Sequence, residues 1–145
     1  MHMLQQTGMG LVTAALAVAL AGCSDDTDSP SDPGAAQAAI RVQCERQPSP
    51  ARSKISVDGN DLIPQNGAFR ARVTAAGGSV TSPTRQAAGD EVEFDFDSNP
   101  NDIAEGATAI LPTLIAARAG ADVVGELLNS QGQVVARQGV ECQFP

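Results

Sequence analysis

An all-β fold, a small antiparallel sandwich, is predicted by three features of this sequence. Apolar and polar residues alternate in run after run from Ala38 onward. Residues tolerant of positive φ punctuate the runs, and two cysteines fall near the start and end of the alternating region. "IRVQCE" sets Ile40, Val42 and Cys44 on one face against Arg41, Gln43 and Glu45. "RSKISVD" sets Ile55 and Val57 inward, with Arg52, Lys54 and Asp58 outward. "AFRARVTA" offers Phe69, Ala71 and Val73 to a core, and "EVEFDFD" offers Val92, Phe94 and Phe96. "QVVARQGVECQF" gives Val134, Ala136, Val140, Cys142 and Phe144 on one side, with Gly139 a place for a bulge.

The connections have matching chemistry. "DGN" at 58–60, Gly77–Gly78, "AGD" at 88–90 and "NSQGQ" at 129–133 supply turn residues, the last inside a terminal hairpin. Weaker strands are expected near Thr81–Ala87 and Val123–Leu128. Residues 107–120, "ATAILPTLIAARAG", are apolar without clean alternation and broken by Pro112. A strand followed by an irregular crossover is expected there, with a short helix from Pro112 as the alternative. Several short strands with turns between them suggest a sandwich of Ig-like style. The buried Trp and the cysteine spacing of antibody domains are absent, so the likeness is architectural.

The first residues read differently. Leu11–Leu20, "LVTAALAVAL", is an uncharged apolar run of signal-peptide length, too short to span a bilayer. It leads into "LAGC", Leu20–Cys23, which resembles the lipobox of bacterial lipoproteins. The resemblance implies cleavage after Gly22 by signal peptidase II and acylation, palmitate included, of Cys23. Two or more acyl chains make such anchoring stable. One departure from the pattern is "MHMLQQTGMG", which has no Lys or Arg. In enterobacterial lipoproteins Asp after the lipidated cysteine signals inner-membrane retention, so the resemblance, with Ser24 at that place, implies the outer membrane if the envelope is Gram-negative. The chain thus divides into a signal peptide (1–22), a lipidated cysteine with an acidic disordered tether (23–37) and the β-sandwich (38–145). "SDDTDSPSDPGAAQ" has no large apolar residue to bury. Such a spacer reaches about 20 Å as a random coil, and its acids are repelled by anionic headgroups. "RSKISVDG" and "GDEVEFDFDSNPNDIA" also resemble stretches of small exported bacterial proteins of unassigned function, a likeness that implies no activity.

With Cys23 set aside, Cys44 and Cys142 remain, an even pair on inward parity in an oxidising compartment. A disulfide between them would close nearly the whole domain into a ring, for roughly 4 to 5 kcal/mol in the chain-entropy model. The alternative is two buried free thiols.

Charge and composition narrow the function. Nine Lys and Arg against 17 Asp and Glu give a net −8. Asp25, Asp26, Asp28 and Asp32 in the tether account for half of it. No nucleic-acid partner is expected, because neutralising phosphates needs clustered cations. His2 is the single histidine and falls in the signal segment, so the mature domain has no imidazole for base catalysis or zinc. Ser53 and Lys54, the sole Ser–Lys neighbours, point to opposite strand faces. No phosphate-cradling G-x-x-x-x-G-K occurs. Arg41, Arg52, Lys54, Arg70 and Arg72 all take outward positions, as a basic strip or as an acid-paired, solvated face.

The acidic stretch "EVEFDFDSNPND", Glu91–Asp102, admits several readings. Asp95, Asp97 and Asn99 match the first ligand positions of an EF-hand, but the sixth is Pro100 and the twelfth Gly106, so the loop is not one. A looser calcium site could draw on Asp95, Asp97, Asn99, Asn101 and Asp102. The structural alternative is a strand with a wet acidic face beside the strand bearing Arg52 and Lys54. A capped helical turn would follow, with Asn99 as N-cap, Pro100 first, Asp102 in the first turn and Gly106 as the stop. A carboxylate-dependent hydrolase is the remaining alternative; it needs an apolar cleft for one of two facing acids, and sugar stacking would lack Trp and Tyr. The expectation is a lipid-anchored envelope protein with a non-enzymatic binding, inhibitory or structural accessory domain. It needs no cofactor, unless calcium binds. Its partners are the membrane through its lipid and another envelope or extracellular protein.

Overall fold

In the computed structural model, which describes residues 38–145, the alternating runs become the strands of two packed sheets. The signal segment, Cys23 and the tether lie outside the described residues. β1 (Ala39–Pro48) and β2 (Ala51–Asn60) form a long hairpin, and β6 (Val92–Asp97) pairs antiparallel with β2. β7 (Thr108–Ala109) adds a short parallel edge, giving the order β1-β2-β6-β7. The second sheet runs β4 (Gly78–Thr81), β3 (Ala68–Ala75), β8 (Asp122–Leu128) and β9 (Val134–Glu141), with β5 (Arg85–Gln86) beside β3. The apolar segment after β7 continues as irregular chain up to β8, as the crossover reading expects.

Register explains the core. Val42 faces Val57 and Cys44 faces Ile55, while Ile55 and Val57 face Phe96 and Phe94 on the other side. In the second sheet Ala71 faces Leu127 and Val73 faces Gly125. The inward sets of both sheets meet, so Ile55, Val57, Phe69, Val73, Phe94, Phe96, Val123 and Leu127 are all buried. Gly125 makes the close approach possible. A Cβ there would lie 2.5 Å from Val42 Cγ2, so only glycine lets β1 seat on β8.

The two sheets are stapled at one edge. Past β9, Gln143 N–H donates to Cys44 O at 3.0 Å, and Gln143 O accepts from Arg46 N–H at 2.9 Å. Beside this contact Cys44 and Cys142 form the disulfide, with Cα atoms 4.8 Å apart.

Three details depart from the alternation. The irregularity in β9 comes at Val135, opposite the Leu127–Leu128 step, and not at Gly139. That extra residue lifts Val134 to the rim, where it is 46 % exposed. Phe144 is also on the rim, because it lies past the last bond to the β8 strand, Cys142 N–H to Ala121 O. Arg46 continues the inward parity of Val42 and Cys44 and is buried. Its Nη1 donates to the carbonyls of Gln47 and Arg52.

Candidate functional site

The acidic stretch resolves into a strand end and a cap. Asp97, the last residue of β6, is 1 % exposed and held by both prongs of Arg52 from β2. Nε donates to Oδ1 at 2.9 Å and Nη2 to Oδ2 at 2.6 Å. The Asn99 amide donates to Oδ1 at 2.8 Å. Burial pushes the Asp97 carboxyl up. The hydrogen bonds from Arg52 and from the Asn99 and Ser98 amides, with the guanidinium charge, outweigh it and hold the group below the usual carboxylate range. Arg52 is correspondingly raised by its bond to Asp97.

The other candidates have partners of their own. Asn99 caps α1 (Pro100–Ala104) by accepting from Asn101 N–H at 3.0 Å. Pro100 opens the helix and Asp102 sits in its first turn. Gly106, at φ 113°, follows the helix and provides the stop. Asp95 accepts from Ser56 Oγ at 2.6 Å on the neighbouring strand. Asp97 and Asp102 do converge, but on Arg52, whose Nη2 lies 3.0 Å from Asp102 Oδ2. A calcium ion at Asp97 would have to displace that guanidinium, and Asn101 contributes its main chain to α1. Among the described residues no group of three or more His, Cys, Asp or Glu is placed to hold a metal.

The outer face of the first sheet is a charge ladder, as expected from β6 neighbouring β2. Glu45, Lys54 and Asp97 share one row, and Arg41, Asp58 and Glu93 another. Arg70 and Arg72 lie on β3 in the other sheet, so the outward cations do not join into one strip. Arg72 instead meets Glu126 of β8 at 2.6 Å.

Asp58 was not singled out by the motifs, although its outward position opposite Glu93 is a signal of like-charge crowding. Burial raises its pKa, Arg41 lowers it and Asp95 raises it further. It lines a shallow cleft of about 450 Å³ with Arg41, Glu91 and Glu93. This is the acid-rich concavity nearest to what a carboxylate hydrolase would require.

The larger concavity, about 570 Å³, runs along the edge where β1 and β9 diverge above their junction at Gln143. Val42, Gln43 and Lys54 line one side, with Gln138, Val140 and Glu141 on the other. Val42 N–H, on the free edge of β1, donates to Gln138 Oε1 at 2.6 Å. A side-chain carboxamide thus occupies the place that a neighbouring strand's carbonyl would take.

No protein-family model matches the chain, and no curated protein matches it. Among solved structures, the X-ray structure of Northeast Structural Genomics Consortium target SoR45 is similar at 12% identity and a TM-score of 0.30. The match covers 70% of this chain and 82% of that one. Similarity that remote carries no weight for fold or function.

Proposed function

We propose that the chain is a lipid-anchored cell-envelope protein whose β-sandwich works by surface contact, as a binding, inhibitory or structural accessory domain. The observation that carries this reading is the groove between β1 and β9. There the domain's unused bonding capacity lies in main-chain edges, the chemistry of association. The perturbed acid Asp97 is committed to an internal ion pair, which speaks for a structural use of the acidic stretch. The finer Ig-like assignment has support in the strand distribution. β1, β2 and β6 in one sheet against β3, β8 and β9 in the other parallel strands A, B, E and C, F, G of that class.

Two measurements test the reading. In a bacterial host, the full chain should incorporate labelled palmitate and sediment with outer membranes, and Cys23→Ser should abolish both. Label persisting in Cys23→Ser would remove the anchor. For the contact itself, a photo-crosslinking residue at Gln43 should give a discrete higher-mass adduct in intact cells. The same residue at Ser130, on the exposed β8–β9 turn, should give none. Equal diffuse labelling at both positions would sink the contact reading.

A further inference from the structure

β9 pairs with β8 on one side only. Cys142 N–H points towards β8, donating to Ala121 O at 2.9 Å, and Gln143 N–H points the other way, to Cys44 O. The alternation of an antiparallel ladder then aims the amides and carbonyls of Arg137, Gly139 and Glu141 away from β8. β1 takes this edge only at Gln143. From Arg137 to Glu141 no strand pairs with it among the described residues, and Arg137, Gly139 and Glu141 are exposed. The groove opens along this stretch.

We propose that β9 pairs antiparallel with β9 of a second copy of this chain, about a two-fold axis through Gly139. The order of charges selects this occupant and this register. Arg137 precedes Gly139 by two residues and Glu141 follows it by two. About that axis, Arg137 of each copy faces Glu141 of the other, on one face of the joined sheet. The pairs Gly139–Gly139 and Arg137–Glu141 exchange their main-chain hydrogen bonds. Axes through the neighbouring edge-facing residues fail, because they set Arg137 against Arg137 or Glu141 against Glu141. Arg137 is free to reach across: its side chain is 65% exposed and held within its own sheet only by Glu126 at 3.8 Å. Gly139 puts no side chain at the axis, and the entering strand displaces the Gln138 carboxamide from Val42 N–H, the hydrogen bond that crosses the groove beside it. The pairing names the contact that the surface-contact reading leaves open and rests on that reading. A membrane anchor would favour it by concentrating the copies.

The test uses the full chain in its envelope, carrying Gly139→Cys. Gly139 has no positive φ, and a Cβ there meets nothing closer than Val124 Cγ2 at 4.0 Å, so cysteine fits. Cα atoms of a hydrogen-bonded antiparallel pair lie about 5.5 Å apart, within disulfide range. The expected result is a reductant-sensitive dimer on non-reducing gels, absent from Ser130→Cys. Adding Arg137→Glu or Glu141→Arg alone should lower the cross-linked fraction by roughly tenfold, as two attractive pairs become repulsive. Combining both substitutions should restore it, which a merely structural role for either residue would not do. A monomeric Gly139→Cys protein, or cross-linking indifferent to the charge variants, would overturn the pairing. If the Gln43 adduct persisted beside a monomeric Gly139→Cys chain, self-pairing alone would fall and the contact would belong to a different partner.

Discussion

Replacing Cys44 and Cys142 together with alanine is expected to cost about 4 to 5 kcal/mol of folding stability, because the bridge spans 98 residues of sequence. For a domain of this size that corresponds to a fall in melting temperature of roughly 20 °C or more. The structure explains why so little else compensates. Besides the bridge, the main-chain hydrogen bonds that join the two sheets at this edge, among the described residues, are those of Gln143 with Cys44 and Arg46. The Val42–Gln138 bond crosses the groove above them. Without the bridge, β1 is the strand expected to open first, since one of its flanks has no strand ladder. Hydrogen exchange should therefore show the amides of Val42 and Arg46 losing protection ahead of those in β2, β3 and β8. A melting temperature unchanged by the double substitution would refute the loop-closure argument.

Asp97→Ala is expected to cost about 3 kcal/mol. Removing one partner of a buried ion pair costs about 3 to 5 kcal/mol. The lower end applies because Arg52 keeps Asp102 at 3.0 Å and is a quarter exposed. The Asn99 amide also loses its acceptor, so the start of α1 should loosen. The pH dependence carries a sign that identifies the group. The folded carboxyl of Asp97 is held below its ordinary value near 4. Its contribution is therefore complete above that ordinary value and is lost as pH falls through the depressed one. Asp58 has the opposite sign. Its raised pKa contributes stability below the ordinary carboxylate value that is lost as pH rises through the raised one. Urea titrations between about pH 2 and 7 should show the acid loss of stability reduced in Asp97→Asn and steepened in Asp58→Asn. Superimposable profiles for Asp97→Asn and the parent protein would remove the ion pair from the account.

Much of this was readable from local pattern. The inward positions of β1, β2, β3 and β6 follow from alternation, since a strand with one wet face must put every second residue into the core. The cap at Asn99 was equally legible, because N-capping joins residues two or three apart and needs only the order Asn, Pro, acid. Alternation places Val134 and Phe144 inward, and both are on the rim. A bulge at Val135 shifts the register of the first, and the second lies past the last bond to the β8 strand at Cys142. The pattern of a strand records neither its ladder's irregularities nor where its partner ends. Of the oxygens gathered in the calcium reading, those of Asp97 and Asp102 face Arg52, that of Asp95 accepts from Ser56 and that of Asn99 caps α1. These partners lie too far away in sequence, or too close to the main chain, for the acidic run to name.

By itself, then, the sequence determined the all-β class, which faces of the strands are buried, the parity that makes Cys44 and Cys142 eligible to pair, and the helix cap. These depend on neighbours a few residues apart. Only the tertiary structure decided that Arg52 reaches Asp97, 45 positions away. It also decided that β3 carries Arg70 and Arg72 to the opposite sheet, and that β1 and β9 touch at Gln143 and part above it. Each of these depends on which strands lie side by side, and alternation, being the same for every possible neighbour, does not encode that choice.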